Sequence, residues 1–186
     1  MKLRKKVDKL AAVRELFADF NENCQKTYTI GKYVTIDEKW GRCSFCRYIP
    51  SKPAKYGIKI FALVESRNFY SYNMEIYVGQ EPKGSFRVEN SPLEITKCLW
   101  TPLFKSGENI TMDNWCMSYL LAKELLSKKL TIIGTLKRNK DEIPTEIVEK
   151  KTKKVYSSIF GFQKNVTLVM YVSKRMCNFV TYNALQ

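Results

Sequence analysis

No histidine occurs anywhere in the 186 residues of the chain. That absence removes imidazole chemistry altogether: Ser-His-Asp and Cys-His catalysis, zinc sites with His ligands and His proton shuttles. Any catalysis must use carboxylates, thiols, amines, hydroxyls, or a metal held by oxygen or sulfur. Long apolar runs are also missing, with nothing near the ~18 residues of a membrane span. The segment Met1–Lys9 is charged rather than apolar, so no secretory leader is expected and no membrane partner. Negative charge is scarce. Lys and Arg number 32 against 18 acidic residues, a net charge of +14, which calls for an anionic partner, nucleic acid first.

Cysteine is present but poorly arranged for metal. Cys43 and Cys46 form a single CxxC, and no second pair or His completes a zinc site. A structural zinc is therefore not expected. With no leader, the six cysteines read as reduced thiols of an intracellular protein. The length suits one domain, and 45% hydrophobic with 13% aromatic residues can build a core.

The hydrophobic pattern orders the chain. Residues 4 to 23 space Val7, Leu10, Ala11, Val13, Leu16, Phe17 and Phe20 as one face of an amphipathic helix. Tyr33–Ile36 reads as a buried strand that ends in Asp37-Glu38. Tyr56–Glu65 and Tyr70–Val78 read as strands joined by a hairpin at Ser66-Arg67-Asn68, and the second alternates Tyr70, Tyr72, Met74, Ile76 and Val78 on one face. Leu93–Phe104 predicts a short helix limited by Pro102. Asn109–Met112 is a short strand ending in Asp113-Asn114, Trp115–Lys128 has helical spacing, and Thr131–Leu136 is a strand. Lys137–Lys154 reads as a basic loop with one helical turn, followed by strands over Val155–Phe162, Val166–Ser173 and Asn178–Tyr182. The order predicts a mixed α/β layer architecture, with Trp100 and Trp115 in its core.

Two carboxylates stand out. Asp37 and Asp113 each close a short apolar strand, and carboxylates at neighbouring strand ends can converge on Mg²⁺, which prefers oxygen ligands. A strand-end Asp also commonly sits in a turn, and Asp113 before a helix can be its N-cap.

Several segments carry a resemblance. Tyr33-Val34-Thr35-Ile36-Asp37-Glu38, Gly41-Arg42-Cys43, and the stretch from Tyr48 through Lys52, Pro53 and Lys55 to Lys59 resemble the piggyBac transposase family. So do Ile110-Thr111-Met112-Asp113-Asn114-Trp115 and Leu130–Lys140 with Ile143-Pro144. The resemblance runs from about Asp8 to Val180 and implies a ribonuclease H-like mixed sheet flanked by helices, incomplete at the C-terminus. Residues 1–186 are then part of a DDE/DDD-type catalytic domain, and 1–28 its helical lead-in. The family cuts and rejoins DNA with an Asp triad that holds Mg²⁺ or Mn²⁺. Asp37 matches the first Asp and Asp113 the second; both are the implied catalytic and metal-binding residues. Arg42, Lys52, Lys55, Lys59, Lys137, Arg138 and Lys140 are the implied DNA contacts.

The departures are specific. No residue of this chain matches the third Asp, since Asp141 and Glu142 fall in the loop before Ile143-Pro144. The family's N-terminal DNA-binding part and its Cys-rich zinc module have no counterpart. The turn after Asp37 is shorter than the family's by about four residues on that comparison, and Cys116 stands where the family has an aromatic. Two carboxylates in place of three weaken a two-metal site. Three readings follow: a DNA-binding, transposase-derived core that is not catalytic alone; a fragment of an active transposase; or a domesticated protein that pairs with itself or with a full-length transposase. The resemblance implies transposon-end DNA as partner and the nucleus as location.

Overall fold

The computed structural model describes residues 8, 10–41, 47–48, 56–78, 91–148, 153–173 and 177–183. The chain divides into two compact units. The first comprises Met1–Gly31 and Thr35–Pro102, the second Lys32–Val34 and Leu103–Gln186. Both are mixed α/β, as the element order predicts. Among the described residues no helix is long and apolar enough to cross a membrane.

In the first unit, helix α1 (Arg14–Thr27) precedes strands β1 (Tyr33–Gly41), β2 (Arg47–Tyr48), β3 (Tyr56–Glu65) and β4 (Ser71–Tyr77), and helix α2 (Pro92–Trp100) closes it. β3 neighbours β1 and pairs antiparallel with β2 and with β4, from Lys59↔Tyr77 to Val64↔Ser71. The hairpin turn falls on Ser66-Arg67-Asn68, where the Asn68 side chain accepts from the Tyr70 N–H at 3.0 Å. Phe61, Ala62 and Leu63 of β3 are buried with Met74, Ile76, Ile95, Leu99 and Trp100. Each large side chain among them contributes roughly 1.5–3 kcal/mol relative to exposure. Pro92 sits in the first turn of α2, and Ser91 caps the helix by accepting from Glu94 N–H at 3.2 Å.

Helix α1 departs from the pattern. It runs from Arg14 to Thr27, four residues beyond the predicted end at 23; residues 4–7 and 9 of the predicted helix lie outside the described residues, and 10–13 form a turn. Asp8 sets the start. Its fully buried carboxylate accepts from Leu10 N–H at 2.8 Å and from the Arg14 guanidinium at 2.9 and 2.6 Å, so the chain turns over residues 10–13 before the helix begins. Leu16 and Phe20, expected on the inner face, are 73% and 56% exposed. The inner face instead uses polar links. Asn73 of β4, 5% exposed, accepts from Asn21 at 2.8 Å and Gln25 at 3.1 Å and donates to the Cys98 and Leu99 carbonyls at 3.0 and 2.8 Å. One amide thereby fills its hydrogen-bonding capacity and ties α1 and α2 to the sheet.

The second unit is built on a five-strand mixed sheet. Its strands are β5 (Asn109–Met112), β6 (Thr131–Leu136), β7 (Ser158–Gln163), β8 (Val166–Val172) and β9 (Cys177–Asn183), in the order β5-β6-β9-β8-β7. β5 and β6 run parallel, joined through helix α3 (Tyr119–Ser127); the other pairs are antiparallel. The Lys32 carbonyl at the entry to β1 accepts from Asn109 N–H at 2.8 Å. A single helical turn, α4 (Thr145–Val148), follows Pro144 in the predicted loop. Leu121, Leu125, Leu130, Ile110, Ile132 and Met117 form the core. Gly134 lies opposite Met112 in the parallel ladder, and a Cβ there would stand 2.6 Å from the Met112 carbonyl oxygen. Only a glycine permits that approach.

Candidate active site and nucleic-acid interface

Asp37 lies inside β1 rather than at its end, because the strand continues through Glu38 and Lys39 to Gly41. Alternation places it. Val34 and Ile36 are buried, so Asp37 projects from the opposite, exposed side. One carboxylate oxygen accepts from the Glu38 N–H at 2.6 Å. Glu38, on the buried side, is ion-paired with Lys59 of β3. The Lys59 ammonium is 13% exposed as a side chain and lies 4.5 Å from the Phe61 ring centroid and 5.6 Å from that of Tyr77. A cation so engaged is held within the first unit by charge and by ring faces.

Asp113 follows the last residue of β5 and is exposed. Its Oδ1 accepts from Trp115 N–H at 3.0 Å, a local Asx turn. That turn consumes the residues expected to open a helix from Trp115, and α3 starts at Tyr119. Its N-cap is Ser118, which accepts from Leu121 N–H at 3.2 Å, so Asp113 is not the cap. Trp115 is half-buried, whereas Trp100 is in the core as expected. Cys116 is buried.

The donor chemistry of both carboxylates fits a hard divalent cation. Each gives one oxygen to a neighbouring N–H, and among the described residues no donor reaches the other. Among the described residues no group of three Cys, Asp or Glu side chains stands together as a metal cluster. Asp37 belongs to the first unit and Asp113 to the second.

Of the basic positions, Lys137 and Arg138 are exposed and Lys140 half-buried. They form a tight turn closed by Lys140 N–H to the Lys137 carbonyl at 3.2 Å and anchored by buried Ile143. Arg42, Lys52 and Lys55 lie outside the described residues, as do Cys43 and Cys46. Phe160 and Phe162 of β7 belong to no motif of the resemblance; their i, i+2 spacing with polar Ser158 on the same side is the sequence sign of an outward aromatic face.

Residues 1–184 match the family described as Transposase IS4, a DDE-type family. The whole chain also superposes on a cryo-EM structure of piggyBac transposase in a synaptic complex with hairpin DNA, with a TM-score of 0.85 and 35% sequence identity. The match covers 100% of this chain and 40% of that one, so the chain spans less than half the length of the protein it resembles. The α/β fold is accordingly the ribonuclease H-like mixed sheet flanked by helices that the sequence resemblance implied. The chain belongs to the Transposase IS4 family of DDE transposases, and within it is of the piggyBac type.

Proposed function

We propose that this chain is the DNA-binding part of a cut-and-paste transposase core and does not cut DNA without a third carboxylate. The family match over residues 1–184 carries the reading. The net charge of +14 supports it, since phosphate contacts by Lys and Arg give salt-dependent affinity. So does the similarity to a transposase solved with hairpin DNA. Asp37 and Asp113 would hold Mg²⁺ or Mn²⁺, each through the oxygen its backbone contact leaves open. A divalent metal held by such carboxylates would supply an activated water and steady the leaving oxygen of a phosphodiester. The Asx turn orients Asp113 within the second unit, and the strand backbone orients Asp37 within the first. Lys137, Arg138 and Lys140, with Arg42, Lys52 and Lys55, would contact phosphates of transposon-end DNA, in the nucleus.

Purified chain incubated with Mg²⁺ or Mn²⁺ and transposon-end duplex tests both parts. The expected result is duplex binding at ~50 mM salt that weakens steeply as salt rises, with no cleavage or joining. Absence of binding refutes the DNA reading. Nicking that disappears in Asp37→Ala refutes the catalytic part.

A further inference from the structure

The second unit carries an aromatic face that its own core does not use. Strand register puts Phe160 and Phe162 of β7 on one side of the sheet, with Tyr171 of β8 opposite Ser158 on that same side. Phe160 is 55%, Phe162 78% and Tyr171 39% exposed. The two Phe rings are within 6° of parallel, with centroids 6.3 Å apart. That spacing is close to two base-stacking steps of about 3.4 Å. The other side of the hairpin is occupied: a Cβ at Gly161 would stand 3.3 Å from Ile147 of α4, and Val166, Met170 and Val172 are buried. The Phe rings therefore lie on the side of the hairpin opposite the one that packs on α4.

Charge identifies what such a face would take. From Lys150 to Gln186 the sequence holds seven basic residues (Lys150, Lys151, Lys153, Lys154, Lys164, Lys174 and Arg175) and no acidic one. Of these, Lys154 and Lys164 are exposed, Lys153 donates to the α4 carbonyls of Glu146 and Ile147 on the covered side, and the other four lie outside the described residues. Half of the +14 net charge thus falls in this last segment. Exposed aromatic rings on a basic segment are the means by which proteins hold unpaired bases, because every base has a face to stack and every nucleotide a phosphate to neutralise.

We propose that the β7–β8 hairpin is a stacking platform for unpaired nucleotides, with Phe160 and Phe162 taking bases and Tyr171 extending the row. The proposal rests on the DNA-binding reading and deepens it: the basic turn at Lys137–Lys140 reads duplex phosphates, and the hairpin holds single-stranded or unpaired positions.

The test uses the full chain and a labelled single strand of about 12 nucleotides, a length within ordinary single-strand site sizes, beside a duplex of the same sequence. A 2-aminopurine in the single strand reports stacking. The variant pair Phe160→Ala with Phe162→Ala removes two exposed rings, and its melting temperature verifies folding. Single-strand affinity should fall by about tenfold or more, duplex affinity by less than about twofold. The 2-aminopurine quenching should disappear, and Phe160→Tyr with Phe162→Tyr should restore both. Equal losses on single strand and duplex overturn the platform, as does unchanged single-strand binding. So does a change of molecular mass in the Ala pair with single-strand binding intact, which would make the face a contact between copies. Duplex binding that survives any of these leaves the DNA reading standing, whereas a parent chain that binds neither probe removes both.

Discussion

Lys59 of β3 is ion-paired with Glu38 of β1, the residue that follows Asp37. The pair couples β3 to the strand that carries Asp37, and it engages a lysine that the resemblance offers as a DNA contact. Its side chains are 13% and 29% exposed, so the attraction acts with little solvent screening. Lys59→Ala leaves Glu38 and two aromatic faces without their cation. Urea denaturation should show a loss of about 1–3 kcal/mol, below the cost of breaking a fully buried pair and above that of a surface one. A double-mutant cycle with Glu38→Gln should return a coupling of at least about 0.5 kcal/mol. Additive losses would show that the pair does not stabilise β1.

Gly134→Ala places a methyl group 2.6 Å from the Met112 carbonyl oxygen. The contact is backbone, so no side-chain rotation relieves it. A destabilisation of about 1–3 kcal/mol is expected, with displacement of the β5 end that leads into Asp113. Denaturation measures the first, and chemical-shift changes at Asp113 and Asn114 the second. Wild-type stability in this variant would mean the two strands part without cost.

Asn73→Asp is nearly isosteric and should be worse than Asn73→Ala. The amide donates to two α2 carbonyls, at Cys98 and Leu99, and accepts from Asn21 and Gln25. Alanine removes the bonds and leaves buried polar groups unpaired, at about 2–4 kcal/mol for several such groups. Aspartate also turns a carboxylate toward the carbonyl oxygens. Thermal melts of the two variants rank the effects, and a milder Asp than Ala would contradict the bonding described.

Glu75 has its pKa raised, first by burial, with Arg14 pulling it back in part. A folded-state pKa above the unfolded one means the native state binds the proton more tightly in that interval. This carboxylate's contribution to stability therefore declines as pH rises through its folded pKa, and grows as pH falls toward its unfolded value. Glu75→Gln should gain stability relative to the parent at neutral pH. That gain should vanish below about pH 4, where the unfolded carboxylate is protonated too. Paired urea titrations at the two pH values check this; a difference that does not depend on pH removes the role of burial.

Strands were the most legible part of the chain. The β-branched and aromatic runs at Tyr56–Glu65, Asn109–Met112 and Thr131–Leu136 form β3, β5 and β6 at those bounds, since alternation and burial agree there. The start of α2 at Pro92 falls within one residue of the predicted Leu93, whereas turns organised by a side chain were not legible. Asp8, a charge the pattern would place in solvent, is fully buried and accepts from Leu10 N–H in the turn that precedes α1. Likewise the Asx turn at Asp113 delays α3 to Tyr119. Both are side-chain-to-backbone bonds, which leave no periodic trace in the sequence. At the site, the identities of Asp37 and Asp113 came through resemblance. Composition and spacing alone left turn and cap alternatives open, and the structure removes the cap for Asp113.

Helix α1 has no buried residue, and it meets β4 through hydrogen bonds, Asn21 and Gln25 to the Asn73 amide and Asn21 to the backbone N–H and carbonyl of Met74. An attachment of that kind can be exchanged for water one bond at a time, whereas an apolar face must separate all at once. The helix is therefore expected to open before the sheet beneath it. Under mechanical load or mild denaturant it is the element to peel first, and the β3–β4 ladder would still be intact when it had gone.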